Sequence, residues 1–210
     1  MVVAIDGPAG SGKSTIAKML AEKLNITFLN SGSFYRAITL ALIRANIDFS
    51  SEQAILDCAK AQKLEYKNSH LILNDEDVES LLHSDLVDAH VAQVSAIVSI
   101  RHLVNARLHE ITKTLSIVCE GRDMTTVVFP DADYKFFLDA SPKARALRRF
   151  NQGVSGLSLQ EIEESIKKRD EIDRNKKEGS LIISPDAYYF DTSDLTINQV
   201  CGTLIDKIHS

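Results

Sequence analysis

The chain has 210 residues, 44% of them hydrophobic and 25% charged, with 9 Gly and 4 Pro. This is a globular composition of one-domain length, and it excludes a mostly disordered, low-complexity or collagen-like chain. The formal net charge of −5 argues against nucleic acid as the main partner, because binding a phosphate backbone needs a basic footprint.

In chain order, Val2 to Ile5 reads as a short apolar strand ending at Asp6-Gly7. Ser14 to Leu24 follows as a helix, with Ile16, Leu20 and Leu24 on one face. Ile26 to Leu29 is a second strand, and Ser33 to Ala45 is helical. Ser50 and Gln53 form a capping-box pattern at the head of another helix. The rhythm then changes. Leu64 to Lys67 and His70 to Leu73 flank Asn68-Ser69 as a β-hairpin, and Asn74-Asp75-Glu76 is a further turn. Two helices are expected between Asp85 and Thr114. Strands follow at Ser116 to Cys119 and Tyr134 to Leu138. Ser141-Pro142 suits a helix N-cap and first turn, and Ser158 with Glu161 forms a capping box. Tyr188 to Phe190 is the last strand, before an amphipathic C-terminal helix carrying Ile197, Val200, Leu204 and Ile208.

This alternation predicts an α/β fold, with a parallel sheet flanked by helices and a small antiparallel insertion. Such sheets bind ligands at the C-terminal ends of their strands. Cys58, Cys119 and Cys201 are too widely spaced for a C-x-x-C site, so reduced thiols are expected. The five central histidines (His70, His83, His90, His102 and His109) complete no metal-ligand pattern. No apolar run nears the roughly 18 residues of a membrane span, and the N-terminus does not read as a signal peptide. A soluble cytoplasmic protein, monomeric by default, is the expectation.

Gly7-Pro8-Ala9-Gly10-Ser11-Gly12-Lys13-Ser14 fits G-x-x-x-x-G-K-[ST]. It follows an apolar strand and opens a helix, the context in which such a loop cradles nucleotide phosphates on backbone N–H groups. Lys13 can reach the outer phosphates, the Ser14 hydroxyl can ligate Mg²⁺, and the helix N-terminus adds its positive end. Thr15 completes the phosphate-binding run. GTPase signatures are missing; Asn175-Lys176-Lys177-Glu178 is the nearest approach to Asn-Lys-x-Asp and fails. Arginines at 36, 101, 107, 122, 148, 149, 169 and 174 gather near loops and helices that follow the strands. Lys143 to Glu178 carries ten Lys or Arg against seven Asp or Glu. A basic segment on an acidic chain points to a specific anionic ligand.

The stretches IDGPAGSGKST, LNSGSFYRA, EGRDMTTVVFPDADYKFFLDAS, KKRDEIDRN and SPDAYYFDTSDLTINQV run in an order that resembles the bacterial cytidylate kinases, nucleoside monophosphate kinases of the P-loop superfamily. The resemblance covers nearly the whole chain. It implies one P-loop NTPase-fold kinase domain over residues 1–210, with a core at 1–60, 85–147 and 180–210. A CMP-binding insertion would lie at about 61–84, and a helical lid carrying Arg148 and Arg149 at about 148–179.

It also implies residue roles. Ser31 and Arg36 would hold the CMP phosphate, with Arg122 helping. Arg101 and Asp123 would read the cytosine edge. Arg169 and Asp173 would contact the ribose, while Lys13, Arg122, Arg169 and Lys176 would serve the transfer itself. Lys176 stands where relatives usually have arginine, Ala92 where they often have serine, Thr125 for a common glycine and Glu120 for a common aspartate. The implied reaction moves the γ-phosphoryl group of ATP to CMP or dCMP with Mg²⁺. A phosphate acceptor, mostly ionised near pH 7, needs no general base; it needs alignment and charge neutralisation. Two other readings stay open: another small-molecule P-loop kinase, for shikimate or dephospho-coenzyme A, and a non-catalytic ATP-binding switch.

Overall fold

The structure, a computed structural model, describes all residues except 68, 69, 152 and 154–156. It divides into two compact units, one made of Met1–Leu29 with Ser116–Ser210 and the other of Asn30–Leu115.

The first unit is built on a five-stranded sheet. Its strands are β1 (Val2–Asp6), β2 (Thr27–Asn30, whose last residue belongs to the second unit), β6 (Ile117–Gly121), β7 (Tyr134–Asp139) and β8 (Tyr188–Asp191), in the order β2-β6-β1-β7-β8. β1 pairs in parallel with β6 and β7, and β7 in parallel with β8. Strands buried on both faces need no polar alternation, which is why β1, β6 and β7 read as continuous apolar runs. Helices α1 (Lys13–Leu24) and α8 (Ile197–His209) lay their apolar stripes against the sheet. Val3, Ile5, Ile16, Leu20, Phe136, Leu138, Val200 and Leu204 form the shared core. Each such side chain contributes about 1.5–3 kcal/mol of burial.

The sheet register places the chemistry. Ile5 lies opposite Glu120, and Asp6 lies opposite Gly121 on one side and Phe137 on the other. The chain therefore leaves β1 between the carboxyl ends of two neighbouring strands. Met124–Val128 forms one wide turn of π-helix after β6; its N-capping Asp123 carbonyl accepts from Val127 and Val128 N–H. Nothing in the sequence periodicity announces this turn. Helix α6 (Pro142–Asn151) starts as expected, with Ser141 Oγ accepting from Ala144 N–H. Helix α7 (Leu159–Arg174) carries the expected Ser158–Glu161 capping box. A second capping box, Thr196–Gln199, starts α8; each such cap is worth about 1 kcal/mol.

The second unit holds α2 (Ser31–Arg44), α3 (Glu52–Ala61), α4 (Asp85–Val94) and α5 (Val98–Thr112) with a small antiparallel sheet. That sheet pairs β3 (Leu64–Lys67) with β4 (His70–Leu73), and β4 with β5 (Glu76–Asp77). The hairpin thus forms as expected, and its Asn68-Ser69 turn lies outside the described residues. Two expectations need correction. The second turn is Asn74-Asp75 alone, both left-handed, and Glu76 already belongs to β5. The α3 cap is Ser51, not Ser50: Ser51 Oγ accepts from Ala54 N–H, Ser50 bonds to Asp48, and the Gln53 amide reaches forward to Asp57. Adjacent serines compete for one cap, and the one aligned with the helix axis takes it.

Candidate functional site

The loop Gly7 to Ser14 sits at the end of β1. Gly7 must be glycine: a Cβ there would lie 2.0 Å from the Leu138 carbonyl oxygen, at φ 151°. Gly12, at φ 95°, is the left-handed residue from which α1 departs. A loop whose N–H groups converge on a phosphate turns its carbonyls outward, and those carbonyls need donors. Side chains supply them. Lys13 Nζ donates to the Pro8 carbonyl at 2.8 Å, and Arg145 to that of Ala9 at 3.0 Å. Ser11's carbonyl accepts from Arg148 at 3.2 Å and from the Thr192 hydroxyl at 3.1 Å.

Lys13 is buried. Burial, with Arg122 nearby, lowers its pKa to about 7, against the opposing pull of Glu120, Asp6 and Asp173. Ser14 Oγ donates to Glu120 Oε1 at 2.8 Å. A hydroxyl oriented by a carboxylate at the mouth of a phosphate loop is a hard-oxygen arrangement that suits Mg²⁺, which binds through few protein ligands and mostly through water and phosphate. Beyond the loop a cavity of about 560 Å³ is lined by residues from Gly10 to Ile16 and by Arg148, Thr192, Leu195 and Val200.

Three predicted cations converge on one carboxylate. Asp173, fully buried, faces Arg122 Nε at 2.9 Å, Arg169 Nε at 3.4 Å and Lys176 Nζ at 2.9 Å. Burial alone would push its carboxyl up; Arg122, Lys176 and Arg169 outweigh that and hold it at about 2. Asp123 is also buried in this unit. Arg148, expected in the lid, donates to the phosphate loop and to the carbonyls of Thr192 and Ser193, and Arg149 is exposed.

In the second unit Ser31 begins α2 and is buried. Arg36 on the same helix donates to the Leu82 carbonyl at 2.9 Å and pairs with Asp88 at 2.5 Å. Arg101 is buried, donates to the Ser95 carbonyl at 3.2 Å and stands over the Tyr35 ring.

Sequence reasoning missed two buried groups. Asp6, the last residue of β1, accepts from Met124 N–H at 2.8 Å and from both the N–H and the hydroxyl of Thr125. Burial raises its pKa to about 6; those bonds restrain the rise and neighbouring Asp123 adds to it. Arg145 is the other, and its neighbours in α6 gave no sign that it points inward.

The comparisons agree with this geometry. Residues 3–210 match the sequence profile of the cytidylate kinase family. The cytidylate kinase of Borreliella burgdorferi (strain ZS7) is 42% identical over 214 aligned residues, covering 100% of this chain and 97% of that protein. That of Borrelia turicatae (strain 91E135) is 42% identical, covering 98% of this chain and 95% of its own length. Among solved structures, shikimate kinase from Bacteroides thetaiotaomicron superposes with a TM-score of 0.54 at 15% identity, covering 100% of this chain and 99% of that one; this is a likeness of fold. A phosphate loop at the end of a central parallel strand, a buried lysine within it and a full-length family match converge on one assignment: the chain belongs to the cytidylate kinase family.

Proposed function

We propose that the chain transfers the γ-phosphoryl group of ATP to the phosphate of CMP, and of dCMP, giving ADP and CDP or dCDP. The carrying observation concerns the buried carboxylates beside Lys13. Glu120 holds Ser14, Asp6 holds Met124 and Thr125, and Asp173 holds three cations. All three have their oxygens turned to these neighbours: even Asp6, whose pKa is raised to about 6, spends one oxygen on Met124 and the other on Thr125, so none presents a free oxygen to an acceptor hydroxyl. That suits an acceptor phosphate, ionised near neutral pH, over an acceptor hydroxyl that would need a base.

The donor triphosphate is assigned to Gly7 through Thr15, and its base to the cavity between Arg148 and Val200. Mg²⁺, held by Ser14 together with the phosphates, would neutralise developing charge. Lys13, Arg122, Arg169 and Lys176 would do the same from the protein side. By family resemblance Ser31 and Arg36, with Arg122, are assigned to the acceptor phosphate, Arg101 and Asp123 to its base, and Arg169 and Asp173 to its ribose. The segment 148–179 is proposed as the closing lid, the protein as cytoplasmic and monomeric.

The test is ADP release from ATP and Mg²⁺ with CMP, dCMP, UMP, AMP or shikimate as acceptor. CMP and dCMP should be turned over with the highest kcat/KM. Turnover of shikimate in preference to CMP, or ATP binding with no acceptor-dependent ADP release, would overturn the reading.

A further inference from the structure

Arg145 is the largest fully buried side chain of the described residues, only 1% exposed. A buried guanidinium is tolerated only when its donors are met, and these are. Nε donates to the Ala140 carbonyl at 2.8 Å, beside the start of its own helix. Nη1 and Nη2 grip both oxygens of Asp170 on α7, at 2.9 and 2.5 Å. Nη1 also donates to the Ala9 carbonyl of the phosphate loop at 3.0 Å. Gly10 packs against the stem of the same side chain, where a Cβ would stand 3.4 Å from Arg145 Cβ.

An apolar junction already joins α6 to α7: Ala146, Ile162 and Ile166, with Leu159 against them. A well-packed apolar pair would serve that junction at least as well as a buried ion pair. What the pair adds is the Ala9 bond, because Nη1 is shared between the loop carbonyl and the α7 carboxylate. Asp170 lies three residues before Asp173, so one turn of α7 carries both the grip on Arg145 and the carboxylate that gathers Arg122, Arg169 and Lys176.

We propose that Arg145 and Asp170 form a positioning strut that couples the phosphate-binding loop to the cation-bearing turn of α7. Both residues spend their polar atoms on protein partners, so their role is positioning. The strut sets where Arg169 and Asp173 stand when the loop is shaped around a triphosphate. This rests on the proposed function, and the hydrogen-exchange arm that decides it needs nucleotide binding but no phosphoryl transfer.

The experiment is amide hydrogen exchange on the full chain with and without a non-hydrolysable ATP analogue and Mg²⁺. The parent is compared with Asp170→Asn and with the apolar double variant Arg145→Met/Asp170→Leu. In the parent, the analogue should slow exchange at Gly10 to Lys13 and also at Ile166 to Arg174. In both variants the loop should still be protected, while the protection gained by α7 falls by about tenfold or more. The double variant should keep its thermal midpoint and lose about tenfold in kcat with CMP, a split that a merely structural pair would not give. Should the double variant fail to fold, Asp170→Asn, which keeps the side chain's shape and one of the two accepting oxygens but puts an amide donor against the other guanidinium nitrogen, decides alone. Loop protection accompanied by undiminished α7 protection in Asp170→Asn would overturn the strut. An analogue that protects neither region of the parent would overturn the strut and the donor-site reading together.

Discussion

Thr125 donates twice to the same carboxylate oxygen: its N–H reaches Asp6 Oδ2 at 2.7 Å and its hydroxyl at 2.6 Å. A glycine at this position would supply the first bond and not the second. The hydroxyl bond favours the ionised carboxylate, and burial opposes it, leaving the Asp6 pKa at about 6 against 3.8 for a free side chain. Between about pH 4 and 6 the folded chain therefore binds more protons at this site than the unfolded one. Asp6's contribution to stability is greatest below pH 4 and declines as pH rises through 6. Thr125→Val keeps the N–H and removes the hydroxyl. It should cost roughly 1–3 kcal/mol, the range for a bond to a buried charged group, and raise the Asp6 pKa further. Urea unfolding from pH 5 to 8 should show the gap to the parent widening above pH 6. A gap independent of pH would mean the hydroxyl is not supporting the charge.

Strand β1, the phosphate loop and α1 were legible because a spaced glycine signature sits between two hydrophobic periodicities, each with its own physical cause. The capping boxes of α7 and α8 show how local such legibility is. Ser158–Glu161 and Thr196–Gln199 satisfy the same rule, whereas Ser50–Gln53 satisfies it on paper and is displaced by Ser51. The site is less local. Arg169 and Asp173 share a face of α7 by spacing alone and Lys176 follows just past its end, but Arg122 arrives from a strand end 51 residues away. Arg145 shows the limit. In sequence it is one more cation in a basic helix, and its partner Asp170 is 25 residues downstream. Only tertiary packing reveals that this arginine is buried completely, while Arg149 meets solvent.

The buried position of Lys13 makes donor binding sensitive to pH. Its pKa of about 7 means that the ammonium is partly discharged in neutral solution, while triphosphate oxygens favour its charged form. ATP binding should then take up protons, with affinity highest below pH 7 and falling as pH rises above it. Calorimetric titration with ATP at pH 8 in buffers of different ionisation enthalpy should report the uptake. Lys13→Ala should abolish both the uptake and the alkaline loss of affinity, and lower turnover on the order of 10²-fold or more. Binding with no proton uptake would show that Lys13 is already charged.

On the proposed assignment of Mg²⁺ to Ser14, Glu120 would act on the metal through that hydroxyl. Its carboxylate accepts from the Ser14 hydroxyl at 2.8 Å and so fixes where that oxygen points. Partners that orient a metal ligand are typically worth 10–100-fold in metal affinity. Glu120→Gln should raise the half-saturating Mg²⁺ concentration by about tenfold and leave kcat at saturating Mg²⁺ within a few fold. It also removes a negative neighbour that raises the Lys13 pKa, so the alkaline loss of ATP affinity should begin at lower pH. An unchanged Mg²⁺ dependence would remove Glu120 from the metal's surroundings.

Arg36, assigned to the acceptor phosphate, is engaged by Asp88 at 2.5 Å and by the Leu82 carbonyl at 2.9 Å. A CMP phosphate can win the guanidinium only by displacing or sharing these partners. The Asp88 side chain is 52% exposed and that of Arg36 22%, so the pair is partly solvated and worth at most about 1 kcal/mol. That sets the scale of the competition at about fivefold. Asp88→Asn keeps the shape of the side chain and removes its charge. It should lower KM for CMP by up to about fivefold, with KM for ATP and kcat unchanged. The two-substrate kinetics of the purified variant decide the matter. A rise in KM for CMP would reverse the assignment and make Asp88 the residue that holds Arg36 in its binding-ready pose, while equal changes for both nucleotides would place the effect on folding and not on the acceptor.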